Sequence, residues 1–270
     1  MSAGGTAEKA KLADTLYRVP RQNGLHAVQT RGPGGATQLS SWRLRLDPQQ
    51  HASFESQDEE AVLLLQEGEG KLESQGHTWE VQRKSVFEER ATALYLPPAA
   101  SLTVTARAPL EAIVVTTPAE SGGVPILVSP DQVRVEQRGK GNYYREVHDI
   151  FVNDAVAQRL LVGETFNPPG NWSSYPPHKH DGVDGEPRLE EVYHYRVDPP
   201  QGFAHQTLYT ATGETVTHMV QDGDAVLIPY GYHPIAAPPG YQLYYLWALA
   251  GEQRALAVHE DPQHSWITHT

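Results

Sequence analysis

The stretch Gly223-Asp-Ala225-Val-Leu-Ile228-Pro229-Tyr-Gly231-Tyr-His233 decides how the chain is read: four apolar residues run into a proline, a glycine turn and a histidine. The first half holds a plainer copy, in which Ala93-Leu-Tyr-Leu96 runs into Pro97-Pro-Ala-Ala-Ser101 and then Leu102-Thr-Val-Thr105. Counted from the proline, Ser101 takes the place of His233, and Glu60-Ala-Val is set against Glu191-Val-Tyr. Short apolar or alternating runs at 41–46, 61–65, 70–74, 101–105 and 112–115 are followed by a second series at 159–162, 191–195, 206–209, 225–228 and 241–249. Alternation of apolar and polar residues is what a half-buried strand requires. The 23 Gly and 21 Pro punctuate the chain too often for long helices. These features predict an all-β protein of two β-barrel or jelly-roll domains in tandem. The crossing Ser121-Gly-Gly-Val-Pro125 would divide it into an N-terminal domain, 1–125, without a metal site and a C-terminal domain, 126–270, with one. A short, weakly marked helix is expected around 7–15.

Composition narrows the function. With 21 basic against 33 acidic side chains the net charge is −12, and Lys and Arg are scattered, which argues against nucleic acid. Cysteine is absent, so disulfides, thiolate metal sites and a cysteine nucleophile are excluded together. The start lacks a signal-type apolar segment and no apolar run is long enough to span a bilayer, so a soluble, cytoplasmic protein without membrane contact is expected. Ten of the 13 His and 11 of the 13 Tyr lie at or beyond residue 143, which places the chemistry in the second half.

There the strongest signal is Pro176-Pro-His178-Lys-His180, followed by Leu189-Glu-Glu191-Val-Tyr. Residues two apart on a strand share a face, so His178 and His180 can present imidazoles together, with Glu191 brought beside them on a return strand. His233 completes three imidazoles and one carboxylate, a donor set suited to a divalent first-row metal with positions left open. Glu190 is the rival of Glu191; alternation through Tyr195 favours Glu191, with Tyr193 and Tyr195 on the same interior face, unless a bulge intervenes. His194 is then outside the cup. Near the tail, His259, His264 and His269 are read as surface residues.

These motifs resemble the cupin superfamily, whose first motif has His-x-His and a Glu and whose second has Gly-x5-Pro-x-Gly before a His. Here the turn 181–188 is expanded and a single residue separates Gly231 from His233. Together with Trp172-Ser-Ser-Tyr-Pro-Pro, Gly231-Tyr-His-Pro234, Pro239-Gly-Tyr-Gln-Leu-Tyr-Tyr-Leu246 and Asp261-Pro-Gln-His-Ser-Trp-Ile267, they are similar to the bicupin sugar-acid isomerases. Within these the nearest likeness is to the 5-deoxy-glucuronate isomerases of myo-inositol catabolism. The resemblance implies metal ligation by His178, His180, Glu191 and His233, and one divalent metal, zinc first, with manganese, iron or nickel as alternatives. It also implies an aldose–ketose isomerisation of a small sugar acid through an enediolate. Competing readings are the related isomerase of pectin breakdown, a cupin oxygenase and a non-catalytic sugar-binding cupin. Association into a homo-oligomer is expected by analogy.

An isomerase also needs a base and an anchor for the substrate carboxylate. Glu164 is a candidate base if its strand turns it inward, and a bound water is another. Among cations near the motifs, Arg188, on the expanded turn, is preferred over Lys179 and Arg145. Tyr193, Tyr195, Tyr232 and Tyr245 are candidate substrate contacts, with Tyr209 and Trp247 beside them, since aromatics offer flat faces with polar tips. The segment 135–148 is expected to bridge the two halves.

Overall fold

A computed structural model describes residues 10–32, 34–120 and 122–269. It is a bicupin: two large antiparallel sheets face one another, and each curls away from the other around its own core. In the first sheet the strands lie in the order Ile126–Val128, Ala93–Leu96, Glu59–Ser74, Leu110–Pro118, Ser40–Leu46, Gly24–Gln29. In the second the order is Leu16–Tyr17, Ala225–Ile228, Leu189–Asp198, Gln242–Gly251, Leu161–Asn167, Arg145–Phe151, Arg134–Arg138. Smaller leaves close the barrels, and that of the second half runs Trp172–Ser173, Ile235–Ala236, Phe203–Tyr209, Thr215–Gln221. Of the helix expected around 7–15, residues 7–9 lie outside the described residues and Leu12–Asp14 form a single 3₁₀ turn. Among the described residues no helix is long and apolar enough to cross a membrane.

The central strands explain why their sequences are apolar without interruption. In Glu59–Ser74, Val62 and Leu64 enter the core between the two sheets, while Ala61, Leu63 and Leu65 enter the first barrel. In Gln242–Gly251, Tyr244, Leu246, Ala248 and Ala250 pack between the sheets, whereas Leu243, Tyr245, Trp247 and Leu249 face the second barrel. A strand covered on both faces has no need of a polar side. The long strand leaves the large sheet for the smaller leaf near Gly68, whose φ of +108° and approach to Pro109 leave no room for a side chain.

A division at 125/126 does not follow sheet membership. Leu16–Tyr17 pairs with Ala225–Ile228 of the second sheet, and Ile126–Val128 pairs with Ala93–Leu96 of the first. Each half therefore lends its leading strand to the other, in equivalent positions at the sheet edge. The register also corrects the internal alignment. Ala61 pairs with Leu96 and Glu191 with Ile228, each partner directly preceding a proline, so Ala61 corresponds to Glu191 and Glu60 to Glu190. Ser101 opens its strand exposed to solvent.

Glu60 and Glu190 perform the same task in opposite directions. Glu60 accepts hydrogen bonds from the backbone N–H groups of Gln158, Arg159 and Leu160 at 2.6–2.7 Å and from the Tyr95 hydroxyl at 3.1 Å. Glu190 accepts from the N–H groups of Thr37, Gln38 and Leu39 at 2.7–2.9 Å and from the Thr37 hydroxyl at 2.9 Å. Each buried carboxylate thus holds the chain that enters an inner strand of the other half. A third tie is the fully buried pair of Arg83 and Glu164, bidentate at 2.7 and 3.0 Å. Truncation to alanine would strand three backbone donors in either case, so Glu60→Ala and Glu190→Ala should each cost about 3 kcal/mol or more in urea unfolding. Losses below about 0.5 kcal/mol would show that these ties do not hold the halves together.

Candidate metal centre

His178 and Lys179 form a two-residue strand paired with His259–Glu260 of the C-terminal segment, His178 opposite Glu260. The expanded turn after His180 is organised by Lys179, whose ammonium lies 2.9 Å from both Glu186 and Asp184. Burial would raise the Glu186 carboxyl, but Lys179 and the backbone N–H groups around it pull it down to about 2. The acidic group of Asp184, Glu186 and His259 therefore already holds a cation, the ammonium of this chain. His233 follows Gly231, which has φ +88° and whose backbone lies so close to the Tyr209 carbonyl that only glycine fits.

These elements bring His178, His180 and His233 together with their ring nitrogens within 4.8 Å of one another. His233 Nε2 is 3.2 Å from Glu191 Oε2, and His180 Nε2 is 3.8 Å from the same oxygen. His233 Nδ1 meets the Gly231 carbonyl at 3.1 Å and His180 Nδ1 meets the Ala257 carbonyl at 3.0 Å. A carbonyl only accepts, so each Nδ1 carries the proton and each Nε2 turns a lone pair inward, the orientation typical of metal-binding histidines. Burial and then the neighbouring His180 push His233 down to about 3, and burial holds His178 well below its usual range. Burial pushes the Glu191 carboxyl up to about 8. Glu191 Oε2 and His233 Nε2 are buried without a hydrogen-bond partner among the described residues. Neutral imidazoles around an orphaned carboxylate oxygen fit a divalent cation, which would satisfy both atoms at once.

His178, His180 and Glu191 line a cavity closed on the other sides by Thr165, Ser173, Ser174, Tyr193, Tyr245, Trp247 and Glu260, with Arg138 and Arg145 also on its wall. The Tyr193 hydroxyl is 2.9 Å from Ser174 Oγ, and that of Tyr245 bonds Ser173 Oγ. Burial raises both phenols, which stay protonated. Trp247 lies over Gly163, where a side chain would collide with the indole.

Other candidates stand elsewhere. Glu164 is on the opposite face of its strand, bound to Arg83 and, at 2.6 Å, to the Tyr244 hydroxyl, so the inward turn required of a base is not made. Arg188 is exposed on the turn and does not line the cavity. Tyr195 lies beneath the floor, its hydroxyl 2.9 Å from Gln206, whose amide in turn holds the His233 carbonyl at 2.7 Å. Tyr232 packs on Tyr209 outside the cavity. Sequence reasoning missed Arg138, Ser173, Ser174 and Glu260. The serines lie inside the motif already quoted; Glu260 reaches the site through a pairing 82 residues away in the chain, for which no local pattern exists.

Residues 17–267 match the KduI/IolB family. The chain belongs to that family. Among curated KduI/IolB relatives, the 5-deoxy-glucuronate isomerase of Geobacillus kaustophilus (strain HTA426) is 41% identical over 221 residues, 79% of this chain and 79% of that protein. The 5-deoxy-glucuronate isomerase of Bacillus subtilis (strain 168) is 38% identical over 192 residues, 68% of this chain and 70% of its own length. The crystal structure of an IolB-like protein from Salmonella typhimurium LT2 superimposes with a TM-score of 0.89 at 34% identity, over 94% of this chain and 99% of that one. Oxalate decarboxylase of Bacillus subtilis shares the fold, with a TM-score of 0.63 at 14% identity over 95% of this chain and 80% of its own.

The buried carboxyl makes metal uptake pH-dependent. Because Glu191 in the folded, chelator-stripped protein titrates far above an ordinary carboxyl, its contribution to stability is present at acid pH and is lost as pH rises toward 8. At pH 7 the group is mostly protonated while the imidazoles are neutral, so divalent zinc should release about one proton per ion bound. Calorimetric titration in buffers of different ionisation enthalpy measures this number, and Glu191→Gln should abolish the release; no release from the wild-type protein would contradict the protonation assigned to Glu191.

Proposed function

We propose that this protein is an aldose–ketose isomerase that converts 5-deoxy-D-glucuronate to 5-dehydro-2-deoxy-D-gluconate. The observation that carries the reading is the cluster of three neutral imidazoles and Glu191 at the end of a hydroxyl-lined cavity, in a chain about 40% identical to 5-deoxy-glucuronate isomerases over most of its length. His178, His180, Glu191 and His233 would hold one divalent metal, with zinc the natural first choice for three nitrogens and one carboxylate and with manganese, iron and nickel compatible. Such an ion, when bound, supplies positive charge next to the substrate's carbonyl and neighbouring hydroxyl oxygens, where negative charge develops.

The remaining steps fall to side chains. Isomerisation moves a proton from C2 to C1 while the hydroxyl proton leaves O2 and one arrives at O1. Among the described residues Glu260 is, besides Glu191, the one carboxylate on the cavity wall, and its side chain makes no hydrogen bond or ion pair with them. Its carboxylate would take the C2 proton and, after exchanging it with solvent, deliver a proton to C1. The protonated hydroxyls of Tyr193 and Tyr245, each held by a serine, donate to substrate oxygens and orient the chain. The small sugar-acid substrate suits a cytoplasmic metabolic enzyme.

An anaerobic NMR time course in deuterated water, with metal-loaded protein and 5-deoxy-D-glucuronate, tests the proposal. The aldehyde signal should decay as the ketone grows, with deuterium entering at C1. Absence of conversion by protein shown to contain metal would overturn the isomerase reading. Glu260→Gln should lower kcat by about 10²–10⁴ with bound metal unchanged; an unaltered kcat would remove Glu260 from proton transfer.

A further inference from the structure

The isomerase reading leaves open what holds the acid end of the substrate, and two of the three cations considered from sequence are unsuited to it. Lys179 is consumed by Asp184 and Glu186, and Arg188 points to solvent from the turn. Arg145 differs from both. It lines the cavity beside Tyr175 and Pro176, and the same three residues with Glu260 line an outer depression, so the guanidinium stands at the mouth.

Its surroundings are unusual for an arginine. Nη1 donates to the Tyr175 carbonyl at 3.0 Å and to the Tyr143 carbonyl at 3.2 Å, and no carboxylate among the described residues lies within ion-pair distance. By contrast Arg83, Arg196 and Arg254, all well covered, each meet an acidic side chain. Arg145 also faces Arg138 directly across the antiparallel ladder, and Arg138 lines the same cavity. Like charges at facing positions oppose strand pairing, and a largely covered cation without a counter-charge is costly. Arg138 is offset by Glu136, at 2.9 and 3.1 Å; Arg145 is not. Gly139 is required by the same arrangement. It has φ +75°, and a methyl group there would fall 2.3 Å from the Tyr143 carbonyl and 2.9 Å from Arg145 Nη1. In a chain of net charge −12, two arginines stand opposite one another on the wall of one cavity.

We propose that Arg145, supported by Arg138, binds the carboxylate of the sugar acid at the cavity mouth and makes the enzyme selective for uronates over neutral aldoses. The inference rests on the isomerase reading for its substrate. A fork of N–H donors matches a carboxylate in two parallel bonds, which a lysine cannot reproduce. The aldehyde end is thereby directed inward to His178, His180 and Glu191.

The test compares 5-deoxy-D-glucuronate with its methyl ester in wild type, Arg145→Gln, Arg145→Lys and Gly139→Ala, with bound metal measured in each. Arg145→Gln should raise KM for the acid by about 10–100-fold with a smaller change in kcat and leave KM for the ester unchanged, so that discrimination between the two collapses. Arg145→Lys should recover part of it, and Gly139→Ala, which retains the charge but displaces it, should raise KM for the acid. Equal use of acid and ester by the wild type, or undiminished discrimination in Arg145→Gln, would overturn the proposal. Calorimetric binding of D-glucuronate to the metal-loaded protein separates the two readings. Binding that depends on Arg145 without turnover of 5-deoxy-D-glucuronate would sink the isomerase and keep the anchor, whereas turnover with binding indifferent to Arg145 would do the reverse.

Discussion

The adjacency of Glu190 and Glu191 on one strand is the constraint on which the architecture turns. Successive side chains of a strand point to opposite faces. Glu190 therefore reaches into the other half and holds three consecutive backbone N–H groups, while Glu191 reaches into the barrel and meets His233 and His180. A slip of one residue would exchange the two carboxylates, losing the tie between the halves and the imidazole cluster together. The position of the chemistry is thus secured by a structural carboxylate next to it.

The two halves repeat this plan and differ in what fills the barrel. Both keep the tying glutamate, Glu60 in one and Glu190 in the other, because each serves the contact between halves. The next position has diverged: Ala61 packs among Leu63, Leu94, Leu96 and Val114 in the first barrel, where Glu191 faces imidazoles in the second. An aliphatic barrel contributes apolar burial to the fold. Exchange of the edge strands Leu16–Tyr17 and Ile126–Val128 then makes neither sheet complete without the other half.

Charge is distributed with the same economy. Most covered cations are spent on structure: Arg83 with Glu164 between the sheets, Lys179 with Asp184 and Glu186 behind the histidines. The site itself is assembled from neutral imidazoles, protonated phenols and a carboxyl that burial keeps from ionising readily. Such a set is stable when empty of charge and favours a cation at its centre and an anion at its mouth, where Arg145 stands.

Local periodicity made much of this legible in the linear sequence. His-x-His, the alternation Glu191, Tyr193, Tyr195, and the Pro-x-Gly-x-His turn are short-range patterns imposed by strand and turn geometry, and they led to the duplicated β architecture and to His178, His180 and His233 as a group. What lay beyond them depended on pairings between distant segments. Which face of Leu161–Asn167 looks inward is decided by its neighbours in the sheet, and they turn Glu164 to Arg83 and Thr165 to the cavity. Whether a turn cation reaches over the cup is decided by what fills the turn, and Lys179 with Glu186 leaves Arg188 outside. Glu260 and the Ala257 carbonyl arrive from the end of the chain, and Arg145 gains its setting from a ladder and a glycine turn. The sequence by itself determined the strand pattern and the donor residues, because both are written in spacings of two to four residues. The tertiary structure alone decided which carboxylate serves the fold, which serves the site and which cation is left unpaired, because burial and pairing are properties of segments that meet only on folding.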